Sequence, residues 1–149
     1  MPKHTTRRAL KKNPVYLLEE QIGFVLRKAY QKHAMQFAEY FAGDLTPTQW
    51  AAIVKLAELG SCSQNLLGRL TAMDAATIKG VVDRLMKRSY IASTASLTDR
   101  RRHLITLTAA GRKVYARKLS VARQVTLATL SRLKPGEQAV LLRLLRQLS

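Results

Sequence analysis

The sequence has little that would tie a chain together covalently or carry it through a membrane. Its 149 residues include one cysteine, Cys62, so no intrachain disulfide is available, and a lone thiol fits a reducing, cytoplasmic setting. No apolar run approaches the roughly 18 residues that span a bilayer. The basic opening stretch, Met1 to Asn13, lacks the apolar segment of a secretory signal. Acids are scarce as well: 9 Asp and Glu stand against 26 Lys and Arg, a formal net charge of +17.

Catalytic patterns are also missing. His4, His33 and His103 are far apart in the chain and make no metal spacing with Cys62. There is no glycine-rich phosphate loop and no nucleophile elbow. The one adjacent acid pair, Glu19-Glu20, would project about 100° apart on a helix. No enzyme, metal or cofactor is expected.

What is present is a core and a strong positive field. Hydrophobic residues make up 47% of the chain, which excludes a disordered polyelectrolyte. The isoelectric point of about 10.9 lies in the range that flags nucleic-acid-binding domains. Charge alone fits DNA, ribosomal RNA or an anionic membrane surface equally well.

Residues 1–13 form a basic arm with five Lys or Arg and no acid. Such an arm reads first as a solvated tail; the other reading docks it on a partner subunit or on phosphate. Residues 14–149 read as one domain. Asn13 can cap a helix opened by Pro14, and Val15, Leu18, Ile22, Val25, Ala29, His33, Phe37 and Tyr40 continue it to Ala42. Phe24, Leu26, Tyr30 and Phe41 lie off that stripe, and a helix apolar on several sides is deeply buried or lies in an interface.

Thr46-Pro47-Thr48-Gln49 is a capping box for a second helix that ends at Gly60. Ser63 can cap a third helix, about Gln64 to Leu70, and Asp74 a fourth, about Ala75 to Arg88. Only Thr71, Ala72 and Met73 part these two, the mark of a helix-turn-helix. Tyr90–Thr94 and His103–Leu107 then read as two strands of a hairpin whose tip is Leu97-Thr98-Asp99-Arg100-Arg101-Arg102, a wing. Thr108 can cap a fifth helix and Pro135 opens a sixth, both with more apolar surface than one narrow face needs. The expected fold is mainly α with a small β-hairpin: a winged helix-turn-helix over 46–112, with dimerisation helices at 14–42 and 113–149.

Between Arg84 and Lys118 there are ten Lys or Arg and one acid, Asp99. This clustering about a helix-turn-helix favours a phosphate footprint over an evenly solvated face. In helix four, Ile78, Val82 and Leu85 can face the core, which turns Ala75, Ala76, Lys79 and Gly80 outward with Thr77 and Arg84 on the flank. Small residues permit close approach to a major-groove floor, where Lys79 could donate to guanine and Thr77 touch a thymine methyl or a phosphate. Arg100, Arg101 and Arg102 suit a narrow minor groove, with Asp99 expected to hold the Arg101 side chain. The plainer reading makes the tip a solubilising loop.

Helix four (Asp74–Leu85), the wing (Leu97–Arg102) and Ile105-Thr106-Leu107-Thr108-Ala109-Ala110-Gly111-Arg112 together resemble the MarR family of bacterial regulators, a likeness running from Pro14 to Ser149. The resemblance implies a dimer held by helices one, five and six, a palindromic operator in double-stranded DNA, and a small aromatic effector bound between the dimerisation and DNA-binding parts. Gly80 departs from the basic residue common in mid recognition helix, and Ser89 stands where a Gly usually ends that helix. Cys62 is not at the sensing position near helix one that some members use, so it reads as structural. Tyr16–Arg27 resembles the subgroup that represses nicotinate-catabolism genes, which implies a hydroxylated pyridine carboxylate such as 6-hydroxynicotinate as inducer. Arg27, Tyr30, His33 and Trp50 could supply the donor and stacking surface for such an acid, and each could equally be a core or interface residue. The rival to a ligand-responsive repressor is a sequence-indifferent protein that coats nucleic acid or binds RNA.

Overall fold

A computed structural model of the chain describes residues 15–149; the basic arm and the Asn13–Pro14 helix start lie outside them. Six helices and three short strands follow one another in the order α1 (Ile22–Phe41), α2 (Pro47–Leu59), β1 (Ser61–Cys62), α3 (Gln64–Leu70), α4 (Ala75–Lys87), β2 (Ile91–Ala95), β3 (His103–Leu107), α5 (Ala109–Leu130) and α6 (Pro135–Leu148). The fold class is the expected winged helix-turn-helix with six helices. No described helix is long and apolar enough to cross a membrane.

Local chemistry sets most of the boundaries. The Thr46 box closes in both directions: Gln49 N–H donates to Thr46 Oγ1 (3.2 Å) and Thr46 N–H to Gln49 Oε1 (3.0 Å). Ser63, Asp74 and Thr108 each accept from the third helical amide of α3, α4 and α5. Each such cap satisfies one of the N–H groups that a helix start leaves unpaired, and is worth about 1 kcal/mol.

Two expectations need correction. The first helix is not continuous from residue 14: Leu18–Glu20 form a 3-10 turn, and Gln21 is extended (φ −84°, ψ 126°) before α1 begins. Gln21 makes its own local bonds instead, its side chain donating to the Leu17 carbonyl at 2.8 Å. The wing is also more than a hairpin. β3 pairs with β2 on one side and with β1 on the other, Cys62 opposite Ile105. Two residues carry no period that a sequence could display, so β1 shows itself only through its partner.

The core gathers where α2, α3, α4, the sheet and α5 meet. Ile53, Leu56, Leu67, Ile78 and Leu85 are almost wholly buried, and Cys62 is a free, buried thiol among them. Burial pushes that thiol's pKa up, which suppresses the reactive thiolate and suits a structural role. Two glycines permit close approach. A Cβ on Gly68 would meet the Ile78 side chain at 3.1 Å where α3 packs on α4, and one on Gly111 would lie 2.0 Å from the Tyr90 carbonyl oxygen.

Candidate nucleic-acid interface

Helix α4 divides as its sequence requires. Ile78, Val81, Val82 and Leu85 are buried, while Ala75, Ala76, Thr77, Lys79 and Arg84 are exposed and Gly80 is half-buried. The turn before it needs Ala72 in the left-handed region (φ 54°), and Met73 N–H donates back to the Gly68 carbonyl at 2.9 Å. Thr77 N–H donates to Asp74 at 2.7 Å and holds that carboxyl below the ordinary aspartate range. Lys79 reaches along the helix to Asp83 (2.9 Å), both side chains exposed, an ion pair weak enough to be exchanged for another acceptor. Arg84 folds over Gly80, whose added Cβ would lie 3.4 Å from its Nη1. Arg84 thus brings a guanidinium to the place on the helix where Gly80 itself offers no basic side chain.

The helix ends tightly. Ser89 takes the left-handed conformation (φ 57°), as the missing glycine foretold, and Tyr90 N–H closes the end by donating to the Leu85 carbonyl at 3.0 Å. From there the chain enters β2 and runs out to the wing tip. Leu97, Thr98, Asp99, Arg100, Arg101 and Arg102 are all exposed there. Asp99 does not hold the Arg101 guanidinium as expected; its Oδ1 accepts from the Arg101 backbone N–H at 3.0 Å, and its carbonyl accepts from Arg102 N–H at 2.9 Å. An aspartate two residues ahead of an amide in a turn reaches the backbone more readily than a long side chain tip. Among the described residues no carboxylate is ion-paired with Arg100, Arg101 or Arg102, so all three guanidinium groups face solvent.

Of the four residues put forward for an aromatic acid, two share a cavity and two lie elsewhere. Tyr30 and His33 line a cavity of about 370 Å³ between α1, α5 and α6, with the His33 ring nitrogen 2.9 Å from Thr129 Oγ1. Trp50 lies in the core and stacks on Tyr115 at 5.9 Å. Arg27 sits over the Phe24 ring, 5.6 Å from its centroid, and lines neither described cavity. Tyr115 and Arg112 instead line a second cavity of about 580 Å³ between α2, β3 and α5. Arg112 Nη1 donates to the Leu107 carbonyl at 2.9 Å. Sequence reasoning passed over this pair; the signal was a cation and a phenol three residues apart, hence on one helical face. No described group of His, Cys, Asp and Glu is placed to hold a metal.

A helix-turn-helix with an exposed reading face, joined to a basic, solvent-facing wing, defines a winged-helix transcription regulator. The MarR family model matches residues 45–103. The chain is 35% identical to the HTH-type transcriptional repressor NicR of Pseudomonas putida, over 91% of this chain and 87% of that protein. Among solved structures it is similar to a probable transcriptional regulator of Pseudomonas aeruginosa (51% identity, TM-score 0.87, covering 89% of this chain and 100% of that one). It is also similar to Bordetella bronchiseptica BpsR, whose DNA binding is regulated by 6-hydroxynicotinic acid (36% identity, TM-score 0.86, 90% and 96% covered). The chain belongs to the MarR family.

Proposed function

We propose that this regulator is a ligand-responsive repressor that binds a palindromic operator as a homodimer. The carrying observation is the pair of protruding elements: α4 with its small N-terminal face and Lys79, and a wing tip of three arginines without acidic partners. In a two-fold dimer the reading helices would enter successive major grooves about 34 Å apart while the wings take flanking minor grooves. Lys79 would leave Asp83 for a base edge, and Thr77 and Arg84 would flank it on sugar and phosphate.

The effector is a small aromatic carboxylate, of the class that regulates BpsR. The cavity between α2, β3 and α5 suits it best: Arg112 offers a guanidinium for the carboxylate, and Tyr115, backed by Trp50, an aromatic wall. This cavity joins the winged element to a long scaffold helix, so an occupant there can favour one relative placement over another. A coupling of about 1–3 kcal/mol is typical for such regulation.

Footprinting tests the reading. A discrete palindromic protection supports it, and uniform protection along any duplex supports a sequence-indifferent coating protein instead. Arg101→Ala should weaken operator binding roughly 10- to 100-fold by anisotropy titration. Unchanged affinity would remove the wing from the interface.

A further inference from the structure

One charged cluster lies apart from both the reading face and the cavities. Asp44 sits in the loop between α1 and α2, just after two left-handed residues, Ala42 (φ 50°) and Gly43 (φ 72°). Arg88, which caps the end of α4, donates through Nη2 to Asp44 Oδ1 at 2.6 Å and through Nη1 to the Asp44 carbonyl. On the other carboxylate oxygen stands Lys118 of α5, at 3.1 Å, with Arg117 at 3.9 Å. The partners are themselves held. Arg88 also donates to the Tyr90 hydroxyl (3.0 Å) and lies over its ring, and Lys118 is mostly buried against the Phe41 ring.

Three elements therefore meet on one carboxylate: the α1–α2 loop, the end of the reading helix and the scaffold helix α5. The end of α4 has a second tie to α5, at the start of that helix. Thr108 Oγ1 donates to the Ser89 carbonyl (2.6 Å) and Thr108 N–H to the Tyr90 carbonyl (3.0 Å). Lys118 lies nearly three turns further on, roughly 15 Å along the axis at 1.5 Å per residue. One attachment leaves a pivot; two that far apart fix an angle.

We propose that Asp44 is a positioning residue for DNA recognition, holding α4 at a set angle to α5 through Arg88 and Lys118. The inference rests on α4 being the DNA-reading helix. It deepens that reading by naming what aims the helix in the dimer. Electrostatics alone would give the opposite sign. Removing a carboxylate from a chain of net charge +17 should strengthen its attraction for any duplex, whereas loss of a positioning group weakens only binding that depends on aim.

The test compares wild type, Asp44→Asn and Asp44→Glu by anisotropy on the operator selected by the wild-type protein and on a scrambled duplex, with dimer mass and thermal unfolding measured alongside. Asp44→Asn should bind the operator about tenfold more weakly, as expected when one member of a coupled network is removed. Its affinity for the scrambled duplex should stay level or rise, and Asp44→Glu should recover part of the specific affinity. Equal or tighter operator binding by Asp44→Asn overturns the proposal, and so does an equal loss on both duplexes. Should Asp44→Asn fail to fold, Lys118→Gln reads the same ratio of operator to scrambled affinity: a fall supports the proposal and an unchanged ratio overturns it. Hydrogen exchange without DNA keeps the two readings separable. The Tyr90 amide at the end of α4 should exchange faster in Asp44→Asn even if the wild-type protein prefers no duplex, and unchanged exchange there counts against Asp44 alone.

Discussion

Between α2 and β3 a filled core forms: Ile53, Leu56, Leu67, Ile78 and Leu85 are each exposed by 1% or less, although Leu59, Leu70 and Leu97 face solvent. In α6 none is buried, and Val140, Leu144 and Leu148 are 47%, 45% and 71% exposed. Helix α1 behaves as α6 does over its first half, with Ile22, Val25, Leu26 and Tyr30 all facing out. The winged element thus packs around a filled core that Phe37 and Phe41 of α1 and Val114 and Val125 of α5 complete, while the outer faces of the terminal helices present apolar surface that no described residue covers. Under the proposed dimer a second copy covers it, and the two regions should respond differently to the same kind of damage.

The largest effect should come from Leu56→Ala, which empties part of a filled core. It is expected to cost about 2–5 kcal/mol and to lower the thermal midpoint by the same amount at every protein concentration. Leu144→Asp should cost an isolated chain little. Placed in a dimer interface it would bury a charge, so sedimentation should show dissociation, and the unfolding midpoint, which rises with protein concentration in a dimer, should lose that dependence. A Leu144→Asp protein that stays dimeric would break the comparison.

A smaller change is expected at Thr46→Ala. It removes one arm of the capping box of α2 and should destabilise by about 1 kcal/mol, checked by urea denaturation. The smallest appears only in acid. Hydrogen bonding from Arg88, with help from Lys118, holds the Asp44 carboxyl below its ordinary range. Its contribution is therefore complete above about pH 4 and is lost as the pH falls through the lowered value. Relative to wild type, Asp44→Asn should show a stability deficit at pH 7 that narrows below about pH 4. A deficit that is constant down to acid unfolding would show that the carboxylate charge is not what holds the loop.

The same division between regions explains what could be read in advance. The caps at Thr46, Ser63, Asp74 and Thr108 were legible because each is a bond between residues three apart. The buried face of α4 was legible because a helix repeats every 3.6 residues. Of the site residues, the exposure of Lys79 and of the wing arginines followed from the same period and from the turn. Asp99 misled because side-chain and backbone acceptors compete within one turn, and only coordinates show which bond forms. Tyr30 and His33 came together on one cavity while Trp50 fell in the core, because period places a residue on a face without saying what faces it.

Taken alone, the order of amino acids determined the helices, the starts of α2 to α6, the turn between α3 and α4 and the basic wing, all of them consequences of neighbours within a few residues. Tertiary structure decided the pairing of β1 with β3, the break at Gln21, the cavity beside Arg112 and the meeting of Asp44 with Arg88 and Lys118. Asp44 and Arg88 are 44 positions apart. Nothing local links such residues; they meet because buried side chains on the intervening elements must pack without gaps.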